Sequence, residues 1–205
     1  LKLTPIPRAK ELLVLRYQSS DAALRDANLL VQHNPDAIET IDDTILNLAK
    51  QDVIWPLVSN YLDKGNADNL AAINLVEFGG MDGPQLAAKV DSICDELTAT
   101  QTSFERISDP QGMVNLWELR KKGVGLLGNL AGSRRPIAFV EDTAVPPENL
   151  ADYIVEFRHL LDEMGVSYGM YGHVDAGCLH VRPALNMRDP EDALKLKVIS
   201  DAVQG

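Results

Sequence analysis

The sequence passes repeatedly from a short apolar run to a helix-period stripe, with a turn-forming residue at most of the changes, and this order narrows the fold more than any other feature. ELLVLRYQ at 11–18 reads as a strand, and Ser19-Ser20-Asp21 caps a helix over about 21–34 on which Ala23, Leu24, Ala27, Leu30 and Val31 recur at helical spacing. Asn34-Pro35 stops that helix, because the residue before proline is driven out of the helical conformation. AIETIDDTILNLA reads as a short strand passing into a helical turn. Residues 51–68 read as a loop-rich excursion, with Trp55-Pro56 inside a connection and a turn at Gly65-Asn66. LAAINLVEFGG at 70–80 is a buried strand, and Met81-Asp82-Gly83-Pro84 opens a helix to about Thr98. TSFERISD at 102–109 is another strand, and Asp109-Pro110 opens a helix to about Lys121.

A further unit begins with PIAFVEDTAVP at 136–146, read as a strand ending in Glu141-Asp142-Thr143. Pro147 then sits in the first turn of a helix striped by Leu150, Ile154, Phe157, Leu160 and Leu161 and closed by Gly165. A hairpin over Tyr168–Pro183 follows, and Asp189-Pro190 opens a last helix to Val203. This order predicts an α+β fold, a largely antiparallel sheet with helices on one face, built from ferredoxin-like repeated strand-helix-strand units.

Composition excludes several classes. A 45% hydrophobic content over 205 residues suffices for a buried core. No apolar run approaches the roughly 18 residues of a membrane helix. The net charge of −11 argues against a nucleic-acid surface, which needs clustered Lys and Arg. Cys94 and Cys178 provide neither a disulfide framework nor a zinc knuckle, so a reducing cytosol is the default compartment. The opening LKLTPIPRAK has neither an initiator Met nor a signal-like core, and the chain reads as a piece of a longer polypeptide.

The hairpin YGMYGHVDAGCLHVRP carries the candidate chemistry. Strand alternation puts Tyr171, His173, His180 and Arg182 on one face and Met170, Val174, Leu179 and Val181 on the other. A two-residue loop at Ala176-Gly177 would set His173 directly across from His180, with Cβ atoms about 5 Å apart and able to share a metal. A three-residue loop with Gly177 left-handed would put them out of register. Two histidines are only part of a site that wants three protein ligands, and a hydrogen-bonded pair stabilising a hairpin is the competing account.

Arg120 lies late in a helix, where it could clamp a carboxylate or act as a solvated helix-end cation. Gly123, Gly125 and Gly128 match no phosphate-binding pattern and would only allow close backbone approach. Glu141 and Asp142 could orient a ligand or cap the next helix. Arg182 shares the histidine face, as a partner for an anion there or as a salt bridge. His33 and His159 fall on helices as surface residues.

Gly172-His173, Gly177 and Leu179-His180, preceded by EDTAVPPENL and LRKKGVGLLGN, resemble the C-terminal substrate domain of FAD-linked oxidases of the D-lactate dehydrogenase and glycolate oxidase type. The wording GHVDAGCLHVRP with RPIAFVEDTAVPP is most similar to large bacterial oxidoreductases that join FAD and iron–sulfur domains and oxidise D-2-hydroxyglutarate. Residues 113–204 carry the resemblance, and the first hundred match by element order.

The resemblance implies that residues 1–205 are one substrate or cap domain, cut at both ends and inactive alone. His173 and His180 would bind a divalent metal (zinc, manganese or iron) and act in catalysis, with a third, carboxylate ligand outside this chain. Arg120 would grip a substrate carboxylate, and Gly172 and Gly177 would lie at the cofactor. FAD would be bound mainly by another domain of the same polypeptide, with 4Fe-4S clusters in the full-length protein only. The substrate would be a small 2-hydroxy acid whose C2 hydride passes to the flavin while the metal polarises its hydroxyl. The implied location is cytoplasmic, with peripheral attachment to the inner membrane as the alternative.

This chain departs from the family pattern in two places. Asp175-Ala176-Gly177-Cys178 stands where Gly-Asp-Gly-Asn is common, and no lysine lies near Val140 to read a distal carboxylate, a task that Arg182 could take. The competing classes are a non-catalytic α+β ligand-binding or interaction module, with structural histidines, and a metal-dependent hydrolase, which would need a third ligand and a general base within this chain.

Overall fold

The structure, a computed structural model, describes residues 5–63 and 70–204; the turn expected at Gly65-Asn66 lies outside them. Seven strands form one open sheet: β1 (Ala9–Tyr17), β2 (Ala37–Asp42), β3 (Ala72–Gly80), β4 (Ser103–Ile107), β5 (Arg135–Pro136), β6 (Tyr168–His173) and β7 (His180–Leu185). Their order is β4-β1-β3-β2-β6-β7-β5, and every pairing is antiparallel. The first four strands interleave as the split strand-helix-strand pair of a ferredoxin-like unit. β6, β7 and β5 extend the sheet beyond β2.

The expectation of helices on one face is corrected. Along β1, Leu13, Leu15 and Tyr17 belong to one core and Leu12 and Val14 to another, because successive strand residues point to opposite faces. A strand apolar at every position must be covered on both sides. Helices α1 (Ser20–Leu30), α4 (Gly83–Ala99), α6 (Leu150–Glu163) and α7 (Pro190–Gln204) pack on the first face. Helices α2 (Asp43–Ala49), α3 (Trp55–Leu62) and α5 (Pro110–Leu127) pack on the second.

The expected starts hold because their caps are chemically suited to them. Ser19 accepts from the Ala22 N–H, Asp82 from Gln85, and Asp109 from Gln111 and Gly112. Asp42, buried, accepts from the N–H groups of Ile45 at 3.0 Å and Met170 at 2.7 Å, and so ties β2, α2 and β6 together. Burial pushes its carboxyl up to about 7, partly offset by those two donors. On the first face, fully buried Asn74 donates to the Ala23 carbonyl at 2.8 Å and accepts from the Thr40 hydroxyl at 2.7 Å.

Three segments differ from expectation. Residues 51–68 contain α3, with Pro56 in its first turn, where a missing N–H costs nothing, and Val58 and Leu62 in the core. α5 runs on through the glycine-rich stretch to Leu127 because Leu126 and Leu127 are buried, while Gly123 faces Ile45 and Tyr171. Finally, 136–146 is not a strand: only Arg135–Pro136 pairs with β7, and the rest crosses the sheet end as a strap. Val145 donates to the Gly177 carbonyl at 3.0 Å and Ala144 bridges to Cys178, while Pro146-Pro147 has no N–H with which to continue a ladder.

Candidate functional site

The site lies on the α5 side of the sheet, where β2, β6 and β7 end. The two-residue hairpin loop is corrected: Tyr171, not His173, stands opposite His180, and Gly169 stands opposite Arg182. A 3-10 turn at Val174–Ala176 and a left-handed Gly177 (φ 70°) close a longer loop, as in the out-of-register alternative. The histidine rings still meet. His173 lies diagonally from His180 on the same face, with ring centroids 5.3 Å apart at 84°.

Each imidazole is held by the same nitrogen. His173 Nδ1 lies 2.5 Å from Glu39 Oε1, on the β2 residue paired directly with it. His180 Nδ1 lies 3.0 Å from the Glu141 carbonyl oxygen and 3.3 Å from Asp142 Oδ1. Carbonyl and carboxylate oxygens accept, so each Nδ1 carries a hydrogen and Nε2 is the ring nitrogen that these contacts leave over. His173 is 50% exposed and His180 18%.

Arg120 does not project into solvent as a helix-end cation. Its Nε donates to Glu39 Oε2 at 2.6 Å, and its guanidinium lies 4.6 Å above the Tyr171 ring. Arg182 is paired with the Glu141 carboxylate. Glu141 therefore does not cap α6: its carbonyl holds His180 and its side chain holds Arg182. Burial pushes the Tyr171 phenol up, with Arg182 opposing the shift. Burial likewise pushes the Cys178 thiol up.

Gly172 and Gly177 have backbone reasons to be glycine. A Cβ on Gly172 would meet the Cys178 carbonyl oxygen at 2.9 Å, and one on Gly177 the Val145 oxygen at 1.8 Å. His33 sits near Glu96 and His159 near Glu163, both away from the site.

Glu39 is the residue that sequence reasoning missed. Its signal was the strand period, since Ala37, Glu39 and Ile41 share a face that Ile41 buries, and a carboxylate on such a face requires partners.

A histidine that binds metal through one ring nitrogen commonly donates the other N–H to a carboxylate or backbone carbonyl, and both arrangements occur here. The chemistry of the two imidazoles, each with Nδ1 engaged, therefore fits a divalent metal. The described residues contain no group of three or more His, Cys, Asp and Glu able to hold one.

The family of FAD linked oxidases, C-terminal domain, matches residues 6–204. The chain belongs to that family. The match takes in the first hundred residues as well as the hairpin half. This FAD-linked oxidase C-terminal domain is 49% identical over 208 residues to the D-2-hydroxyglutarate dehydrogenase of Pseudomonas putida, covering 99% of this chain and 21% of that protein. It is 45% identical over 210 residues to the enzyme of the same name from Pantoea ananatis, covering 99% of this chain and 20% of the relative. The FAD-linked oxidase domain thus spans about a fifth of the length of these curated relatives. Its fold is shared with a 4-ethylphenol oxidase of Gulosibacter chungangensis at 13% identity and a TM-score of 0.63, covering 99% of this chain and 44% of the other. Among the described residues, no helix of the domain is long and apolar enough to cross a membrane.

Proposed function

We propose that this domain holds the substrate and metal of a flavin-dependent 2-hydroxy acid dehydrogenase whose substrate is D-2-hydroxyglutarate. The observation that carries the proposal is that His173 and His180 are neighbours held by the same ring nitrogen. Both Nδ1 atoms are tied to acceptors, the rings are 5.3 Å apart, and an arginine is held beside them. The 49% identity to a D-2-hydroxyglutarate dehydrogenase supports the choice of substrate.

His173 and His180 would hold zinc, manganese or iron, which would supply Lewis-acid polarisation of the substrate hydroxyl, while FAD, held mainly by another domain of the same polypeptide, would supply the hydride acceptor and iron–sulfur clusters outside this chain the onward electron path. Arg120 grips the carboxylate next to the reacting carbon. Only its Nε is engaged by hydrogen bonding among the described residues, which leaves the Nη groups for a bidentate contact. Arg182 reads the distal carboxylate, exchanging its Glu141 partner for the substrate. Gly172 and Gly177 act on the cofactor through the loop that they shape. The assembled enzyme works in the cytoplasm.

Metal analysis and D-2-hydroxyglutarate turnover of the full-length protein test this. His173→Ala and His180→Ala should each lose bound metal together with activity, and a variant that keeps both would refute the metal role. Arg182→Ala should raise KM for D-2-hydroxyglutarate at least tenfold; an unchanged KM would remove Arg182 from the substrate site.

A further inference from the structure

Resting on the proposed function, we infer that Glu39 is a positioning residue that couples metal binding to substrate binding, one carboxylate fixing both the histidine that faces the metal and the arginine that grips the substrate. Its place makes it rigid. Glu39 sits in β2 between β3 and β6, flanked by fully buried Ile38 and by Thr40, and its side chain is 8% exposed. Each oxygen takes one donor, Oε1 that of His173 at 2.5 Å and Oε2 that of Arg120 at 2.6 Å. The first bond places a hydrogen on His173 Nδ1 and so leaves Nε2 as the nitrogen for a metal. The second, with the Tyr171 ring beneath, fixes the plane of the guanidinium. Neither donor can move without disturbing the acceptor of the other.

The same helix carries a comparison one turn earlier. Glu77 of β3 also bridges two donors, taking Trp117 Nε1 at 2.9 Å and Lys10 Nζ at 2.6 Å. Trp117 and Lys10 are structural partners, and neither imidazole is among them. A strand glutamate shared between two donors is therefore part of how α5 seats on the sheet, and only at Glu39 does it end on the two functional groups.

The test uses the full-length holoenzyme, with metal affinity measured by chelator competition without substrate and KM and kcat measured with D-2-hydroxyglutarate. A glutamine at 39 has one acceptor for two donors. Glu39→Gln should weaken metal affinity about tenfold or more and raise KM, while Glu77→Gln changes neither. Arg120→Lys, which removes the Nε donor, should also weaken metal affinity several-fold in the absence of substrate, an effect that an arginine serving the substrate alone would not have. In the Glu39→Gln background that effect should vanish. Wild-type metal affinity in Glu39→Gln would overturn the inference, and so would wild-type metal affinity in Arg120→Lys.

His180→Ala separates the two levels, since its ring is held by Glu141 and not by Glu39. Metal lost in His180→Ala but kept in Glu39→Gln defeats only the role of Glu39; metal kept in both defeats the metal site itself. If Glu39→Gln unfolds, the Arg120→Lys measurement decides alone.

Discussion

Gly177→Ala separates a glycine that touches a cofactor from one that shapes the chain. Its φ of 70° is left-handed, and an added Cβ would sit 1.8 Å from the Val145 carbonyl oxygen, where such contacts stay above 3.0 Å. The strap must then retreat by at least the difference, which breaks the 3.0 Å bond from Val145 N–H to the Gly177 carbonyl. The left-handed alanine costs about 1–2 kcal/mol, and the lost hydrogen bond costs about 1 kcal/mol. Displacing partly buried Val145 from its core adds to these, and a loss of about 3 kcal/mol is expected. Equilibrium urea unfolding of this chain, with no flavin present, measures it. The strap also carries Glu141, whose carbonyl holds His180, so the full-length variant should lose metal affinity as well. A stability loss below 1 kcal/mol accompanied by weaker FAD binding would refute the backbone account and favour direct cofactor contact.

Asp192 gives a pH signature. It accepts the Asn186 N–H and two Arg134 nitrogens, which hold its carboxyl down to about 2. A depressed carboxylate stabilises the fold above the unfolded pKa near 4 and loses that contribution as pH falls through 2. Allowing for water around Arg134, which is 38% exposed, the stability gap between wild type and Asp192→Asn should be constant above pH 5 and narrow by about 1–2 kcal/mol between pH 4 and 2; urea titrations that show no narrowing would contradict this. Asn74→Ala leaves the Thr40 hydroxyl without its acceptor in the core and removes the side-chain bond to the Ala23 carbonyl, and should cost about 1–3 kcal/mol by the same assay, with metal affinity in the full-length protein unchanged.

Much of this molecule is legible locally. Ser19, Asp82 and Asp109 announce helix starts through their side-chain chemistry, and Gly165 closes α6 in the left-handed conformation that helix ends favour. The histidine face is legible because strand alternation has a period of two and the observed pairing of Tyr171 with His180 differs from the in-register one by two residues, an even slip that keeps both histidines on one face. The loop length was not. A 3-10 turn and a left-handed glycine absorb extra residues, and their stability depends on Val145, some thirty positions away. The segment 136–146 fails as a strand for a similar reason: its apolar residues suit one, but the sheet gives it only Arg135–Pro136 to pair. α3 was hidden because Trp55-Pro56 reads as a connection, whereas Pro56 sits in the first helical turn and Val58 and Leu62 pack on the second face, which a one-faced arrangement does not offer.

By itself, the sequence determined most helix starts, the α+β class and the candidate polar face of the hairpin, because caps, prolines and strand period act within a few residues. Tertiary structure alone decided that both faces are covered and that Glu39 meets His173 and Arg120. Those contacts join β2, β6 and α5 across separations of 81 and 134 residues. No local preference encodes such distances; the antiparallel register of β2 against β6 and the seating of α5 on the sheet do. The histidine pair was visible in the sequence, and the carboxylate that orients one of its rings became visible only in the fold.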